Sequence, residues 1–274
     1  MRIAIIVFLL VVIAGCTNNN VKTDNSLASF FKERNVNGTF AILNNGTGQF
    51  TIYNLKRYRD SFYLPGSSFD IVTALVGLQT GKIFNEKMVV NWDGVSREDS
   101  NWNKDLTMVD AFKSSAPFYF PQIARQIGKD SMEFWLNQLK YGAATDTQKV
   151  KIKTTVDSFW IDNSLKILPD QQLGFIKNLY CSQLPGIYRP YQEMVKAIMS
   201  QEERSTYKLS YKTGWGQNEK GEQIGWVCGW IEENNHPYFF VINFTADISV
   251  NVKATGVDLL KAILKQQGFF EGRM

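Results

Sequence analysis

Apolar and polar positions divide the chain into three zones. Two short β-rich runs, Thr39 to Leu43 and Gln49 to Tyr53, flank Asn44-Asn45-Gly46, and this pattern predicts a hairpin. Between Ser67 and Gln79, Phe69, Ile71, Val72, Ala74, Leu75, Val76 and Leu78 fall on nearly every side of a helical wheel, until Thr80-Gly81 stops the run. A helix that is apolar all round is buried on all sides, so the spacing predicts a central helix over 67–79. Helical spacing recurs over Leu106 to Lys113, Phe120 to Ile127, Ser131 to Leu139 and Asp170 to Tyr180. The last third returns to β-branched and aromatic runs, Tyr207 to Thr213, Gln223 to Ile231 and Tyr238 to Thr245, separated by Gly, Asn and Glu turns. An amphipathic helix over about 256–267 closes the chain. Strands near both ends with helices between them predict an α/β (α+β) fold. One antiparallel sheet is built from N- and C-terminal strands and flanked by helices, with a mostly helical lobe inserted at about 83–200.

The first twenty residues stand apart. One basic residue precedes an apolar run from Ile3 to Ala14, too short for a comfortable span and the right size for a secretory signal. Ile13-Ala14-Gly15-Cys16 resembles a bacterial lipobox, and the polar residues Thr17 to Asn20 follow it. The expected division is a lipoprotein signal peptide at 1–15, a polar tether at 16–25 and one domain at 26–274. That resemblance implies an exported bacterial lipoprotein, held at the periplasmic face of a membrane by lipid on Cys16.

Composition narrows the chemistry. At 274 residues and 44% hydrophobic content the chain can bury a large core. The formal charge of +4 is spread out, with no run of five basic residues, so nucleic acid is not an expected partner. Cys181 and Cys228 remain in the mature chain, and they are expected to stay unpaired. His236 is the only histidine, placed between Asn235 and Pro237 at an expected turn. A Ser-His-Asp triad or a multi-histidine metal site therefore lacks material, and serine chemistry here needs another base.

Candidate residues for that chemistry are Ser67 at the start of the central helix, Ser115 in Ser115-Ala116-Pro117, and Lys212-Thr213-Gly214 on a strand. With Trp92-Asp93-Gly94, Trp102-Asn103, Tyr141-Gly142, Phe159-Trp160-Ile161-Asp162 and Gly225-Trp226 between and after them, the chain from about residue 63 resembles the class D serine β-lactamases, one group of the penicillin-recognising serine enzymes. The resemblance implies Ser67 as nucleophile, with the backbone N–H groups of Ser67 and Trp215 as oxyanion donors. Lys212 is then expected to attract the substrate carboxylate and, with Ser115, to route a proton to the β-lactam nitrogen, while Thr213, Gly214 and Trp215 bind the substrate along the strand. The expected ligand is a β-lactam or a peptidoglycan stem peptide.

The pattern departs from that family at several points. The family's first motif ends in a lysine that carbon dioxide carboxylates into the general base, and here that position is Asp70, where no such carbamate can form. No other cofactor is expected. Three roles are open to Asp70: capping its helix through the Ser67-x-x-Asp70 spacing, serving as a short-armed base to Ser67, or marking a decayed site. Trp160, which in the family binds the carbamate, is present. Pro117 stands where a branched aliphatic residue is usual, Ala143 replaces a common asparagine, and Lys253 is the candidate for a carboxylate-binding arginine, although lysine is not an equivalent fork. The expected activity is acylation at Ser67 with β-lactam hydrolysis weak or lost. The alternatives are a non-catalytic envelope lipoprotein that binds a peptidoglycan fragment or a protein, and a slow transpeptidase or peptidase.

Overall fold

The computed structural model describes residues 20–142 and 148–274. The signal segment, Cys16 and Ala143 lie outside the described residues. In chain order the elements are β1 (Val21–Thr23), α1 (Ala28–Glu33), β2 (Asn37–Asn44), β3 (Phe50–Tyr53), α2 (Leu55–Asp60), α3 (Asp70–Gln79), β4 (Val89–Val90), β5 (Leu106–Thr107), α4 (Met108–Ser114), α5 (Tyr119–Ile127), α6 (Lys129–Gln138), α7 (Pro169–Tyr180), α8 (Arg189–Ile198), β6 (Ser200–Glu203), β7 (Tyr207–Gln217), β8 (Gln223–Glu233), β9 (His236–Ala246) and α9 (Val252–Gln266). Among the described residues no helix is long and apolar enough to cross a membrane.

Seven strands form one sheet in the order β1-β3-β2-β9-β8-β7-β6. The expected hairpin is present, with Phe40 opposite Tyr53 in β2 and β3. The expected meander is present as β7, β8 and β9, joined in part by a turn in which Asn234 and Asn235 take φ of 51° and 61°, as a tight hairpin requires. The sheet is not wholly antiparallel, as expected, but mixed: β1 runs parallel to β3 at one edge. Val21–Thr23 lies within the segment read as tether, and its backbone is recruited because β3 would otherwise present an open edge.

Helices cover both faces of the sheet, which explains why β9 reads as a continuous apolar run rather than an alternating one. Phe239 and Val241 pack on the face of α3 and α7, whereas Phe240, Ile242 and Phe244 pack on the opposite face with Leu259, Leu260, Ile263 and Leu264 of α9. Residues Ile71 through Leu78 of α3 are buried, as its all-round apolar pattern predicts.

Two elements at the site differ from expectation in extent, and β6 is a strand that was not expected. The central helix begins with a single 3-10 turn, Gly66–Phe69, and turns α-helical only at Asp70. β7 continues four residues past Thr213, through two glycines. β6 pairs only with residues 208–210 of β7, so the stretch from Thr213 onward has no strand on that side among the described residues.

Candidate active site

Ser67 sits in the 3-10 turn. That turn is fixed from three sides: Gly66 N donates to Trp160 O (3.1 Å), Ser68 Oγ donates to Pro65 O (2.7 Å), and Trp226 Nε1 donates to Leu64 O (2.8 Å). Phe69 anchors it in a ring cluster, stacked on Trp160 at 5.0 Å and edge-on to Phe159 and Tyr141. β7 passes directly against the turn. A Cβ on Gly66 would meet Trp215 O at 2.1 Å and Trp215 N at 3.0 Å, and one on Gly214 would meet Pro65 O and Ser68 N, each at 2.8 Å. Gly66 also has φ of +54°, a left-handed conformation that favours glycine. Two missing side chains thus bring the backbones at Ser67 and Trp215 side by side.

Ser115 is the left-handed C-cap of α4, with φ of 58°, and its oxygen accepts from Lys212 Nζ at 2.5 Å. Lys212 is buried at 3% exposure, so its charge must be compensated. Its ammonium donates also to Thr213 O (3.1 Å), stands 5.3 Å over the Phe112 ring and lies 3.0 Å from Asp70 Oδ2. That last contact is an ion pair whose alignment falls short of a hydrogen bond. Burial raises the Asp70 pKa to about 6, against the opposing attraction of Lys212; desolvation outweighs the pairing.

The capping role open to Asp70 is not the one its side chain takes. The residue does stand in the first turn of α3, but no side-chain cap bond forms at that helix start, and its carboxylate turns to Lys212. Ser67 Oγ makes no hydrogen bond with any described residue. The Trp160 indole N–H makes none with Asp70; Trp160 serves through its ring and its carbonyl.

A cleft of about 460 Å³ opens over these groups, lined by Ser67, Ser115, Thr213, Gly214, Trp215 and Lys253, and also by Glu98, Trp102, Ser114, Gln223 and residues 250–252. Trp215 is half exposed. Lys253 lies in the first turn of α9 rather than before it. Although the residue as a whole is exposed, the cleft walls desolvate its ammonium and lower its pKa, helped by the charge of Lys212 and opposed by Asp99. Glu98 and Gln223 escaped sequence reasoning. One sits in an irregular loop and the other at a strand's first position, and neither carries a periodic signal.

Behind Lys212 the site is backed by a buried polar chain. Tyr141 OH donates to Gln172 Oε1 (2.9 Å), and Gln172 Nε2 donates to Cys228 Sγ (3.2 Å), a thiol 3.8 Å from Lys212 O. Burial pushes that thiol up to about 11, which makes it an inert packing group. Cys181 and Cys228 are both free, as expected. His236 is remote from the cleft, bonded to Asn44 Oδ1 at 2.8 Å at the β8–β9 turn.

The arrangement offers a hydroxyl at a cleft beside two backbone N–H groups, and an ammonium–hydroxyl pair suited to proton delivery. A family model for the penicillin binding protein transpeptidase domain matches residues 19–266. A probable β-lactamase of Bacillus subtilis (strain 168) is 36% identical over 228 residues, 83% of this chain and 81% of that protein. The solved structure of a class D β-lactamase from Nostoc superposes with a TM-score of 0.80 at 32% identity, covering 89% of this chain and 99% of that one. The C-terminal domain of the Bacillus licheniformis BlaR penicillin-receptor gives a TM-score of 0.83 at 26% identity, over 91% and 97% of the two chains. On the matched domain, the shared fold and relatives above 30% identity, the chain belongs to the class D β-lactamase family.

Proposed function

We propose that this protein is acylated by penicillins at Ser67 and releases the acyl group slowly or not at all. The observation that carries this reading is the Asp70–Lys212 pair. The Asp70 carboxylate is paired with an ammonium, and Ser67 Oγ makes no hydrogen bond to a base among the described residues. In acylation Ser67 Oγ forms an ester with the lactam carbonyl carbon while the lactam C–N bond breaks. The serine proton reaches the lactam nitrogen by way of Ser115, to which Lys212 donates. Backbone N–H groups of Ser67 and Trp215 take the charge that develops on the carbonyl oxygen, and Lys253 attracts the substrate carboxylate.

Deacylation asks for more, because a water must lose a proton as it attacks the ester. A positioned general base contributes about 10²- to 10⁴-fold to such a step. Asp70 supplies the negative charge that the family places at this position, yet its short arm is spent on Lys212. The chain would then behave as a penicillin-binding protein, tethered to a membrane through lipid on Cys16.

The test is intact-protein mass spectrometry of the chain from Asn18 onward, followed in time after addition of a penicillin. A persistent adduct on the wild type, absent in Ser67→Ala and cleared by Asp70→Lys in bicarbonate, is the expected result. Rapid hydrolysis by the wild type without bicarbonate would sink the reading. A second reading, a non-covalent binder of a cell-wall fragment or protein, draws on the same engaged Asp70. It predicts that Ser67→Ala leaves cellular function unchanged.

A further inference from the structure

Gln223 opens β8 and is 7% exposed, and its amide is engaged at the oxygen and at both N–H positions. Its Oε1 accepts from Trp215 Nε1 at 2.6 Å, and its Nε2 donates to Asp247 O at 2.8 Å and Val250 O at 2.9 Å. One side chain therefore joins the far end of the Lys212–Trp215 strand to the loop that enters α9. That loop is closed on itself: Val250 N donates to Asp247 O (3.1 Å), Asp247 Oδ1 accepts from Ser249 N (3.0 Å), and Asn251 caps α9 by accepting from Ala254 N (3.0 Å). The Asn251 cap ties this loop to the first turn of the helix, and that turn carries Lys253 to the cleft.

We infer that Gln223 is a positioning residue that sets the gap between the substrate-pairing strand and Lys253. This inference rests on the acylation reading above. Amide chemistry is required at this position because one acceptor must face the indole N–H while two donors face two carbonyls. Glutamate meets the first demand and sets a carboxylate against both carbonyls, and an apolar side chain meets neither. The indole of Trp215, 53% exposed, is the strand's side of this link. A misplacement of Lys253 weakens capture of the substrate carboxylate before any bond is made, so the effect belongs to binding rather than to the acylation step.

Stopped-flow acylation by benzylpenicillin, read by intact mass, separates the dissociation constant of the initial complex from the acylation rate. Gln223→Glu is expected to weaken the initial complex by about tenfold to a hundredfold and to leave the acylation rate unchanged. In a Lys253→Met background the same substitution is expected to have no further effect, since the group it positions is gone. Additive penalties in that cycle, or a change confined to the acylation rate, would overturn the role, and a lowered melting temperature alone with unchanged binding would do so as well. Should Gln223→Glu fail to fold, Gln223→Met removes all three bonds without adding charge and carries the same cycle. No adduct on the wild type overturns the acylation reading and this role with it. A wild-type adduct with unaltered variants overturns this role only.

Discussion

At Asp70 two opposing effects act on one carboxyl group: burial disfavours its charge, the ammonium of Lys212 favours it, and burial is the larger. The pKa rises from 3.8 to about 6 in the folded chain. Folding therefore favours the protonated form. Its contribution to stability is fully present below the unfolded value and is lost as pH rises through the folded one. A shift of this size corresponds to about 3 kcal/mol. Unfolding by urea at several pH values, in wild type and Asp70→Asn, isolates the effect: the stability of wild type relative to the variant should fall by up to that amount between about pH 4 and pH 7. A difference that stays flat with pH would mean that the carboxyl titrates near its ordinary value. The position of Asp70 was legible in the sequence because a motif framed it. Its partner was not, since Lys212 lies far along the chain and the choice between Ser67 and Lys212 depends on where a short side chain can reach.

Between elements, the site depends on how closely β7 approaches the turn at Ser67. The two glycines that allow the approach were visible in the sequence, but the periodicity stopped the strand at Thr213 and started the helix at Ser67. A glycine carries no apolar signal, and a 3-10 turn at a helix start shares the pattern of the helix it precedes. The short edge strands were illegible for a related reason: Ser200–Glu203 is polar and Val21–Thr23 is only three residues long, so only pairing defines them. Gly66→Ala adds a Cβ that meets the Trp215 carbonyl at 2.1 Å on a backbone with positive φ. The expected cost is about 2–4 kcal/mol from strain and the forced separation, read by thermal unfolding, with a marked loss of acylation. Gly214→Ala, whose Cβ would stand 2.8 Å from two backbone atoms at ordinary φ, should cost less stability than Gly66→Ala and still lower the acylation rate. Equal wild-type-like acylation in both variants would show that the close approach does not position the nucleophile.

For the whole molecule, the architecture was the most legible level, because strands at both ends and helices between them leave few ways to bury both sheet faces. The second face was read only as a closing helix, while the structure shows it as a separate apolar layer in which Leu259, Leu260, Ile263 and Leu264 of α9 are fully buried against Phe240, Ile242 and Phe244. The same helix also carries an ion pair to the C-cap of α1, Arg34 Nε to Asp258 Oδ2 at 2.6 Å, but the Asp258 side chain is 66% exposed. Distance alone would rank that pair highly, and solvent decides otherwise: exposed pairs contribute about 0–1 kcal/mol, whereas truncating a buried leucine costs about 2–5 kcal/mol. Leu260→Ala should therefore lower the unfolding free energy several-fold more than Asp258→Ala in urea titrations at low salt. Added salt should narrow only the Asp258 effect, because screening acts on exposed charge. Equal losses would mean that α9 is held by its surface charges, and Lys253 would then stand on a support sensitive to ionic strength rather than on the apolar layer beneath it.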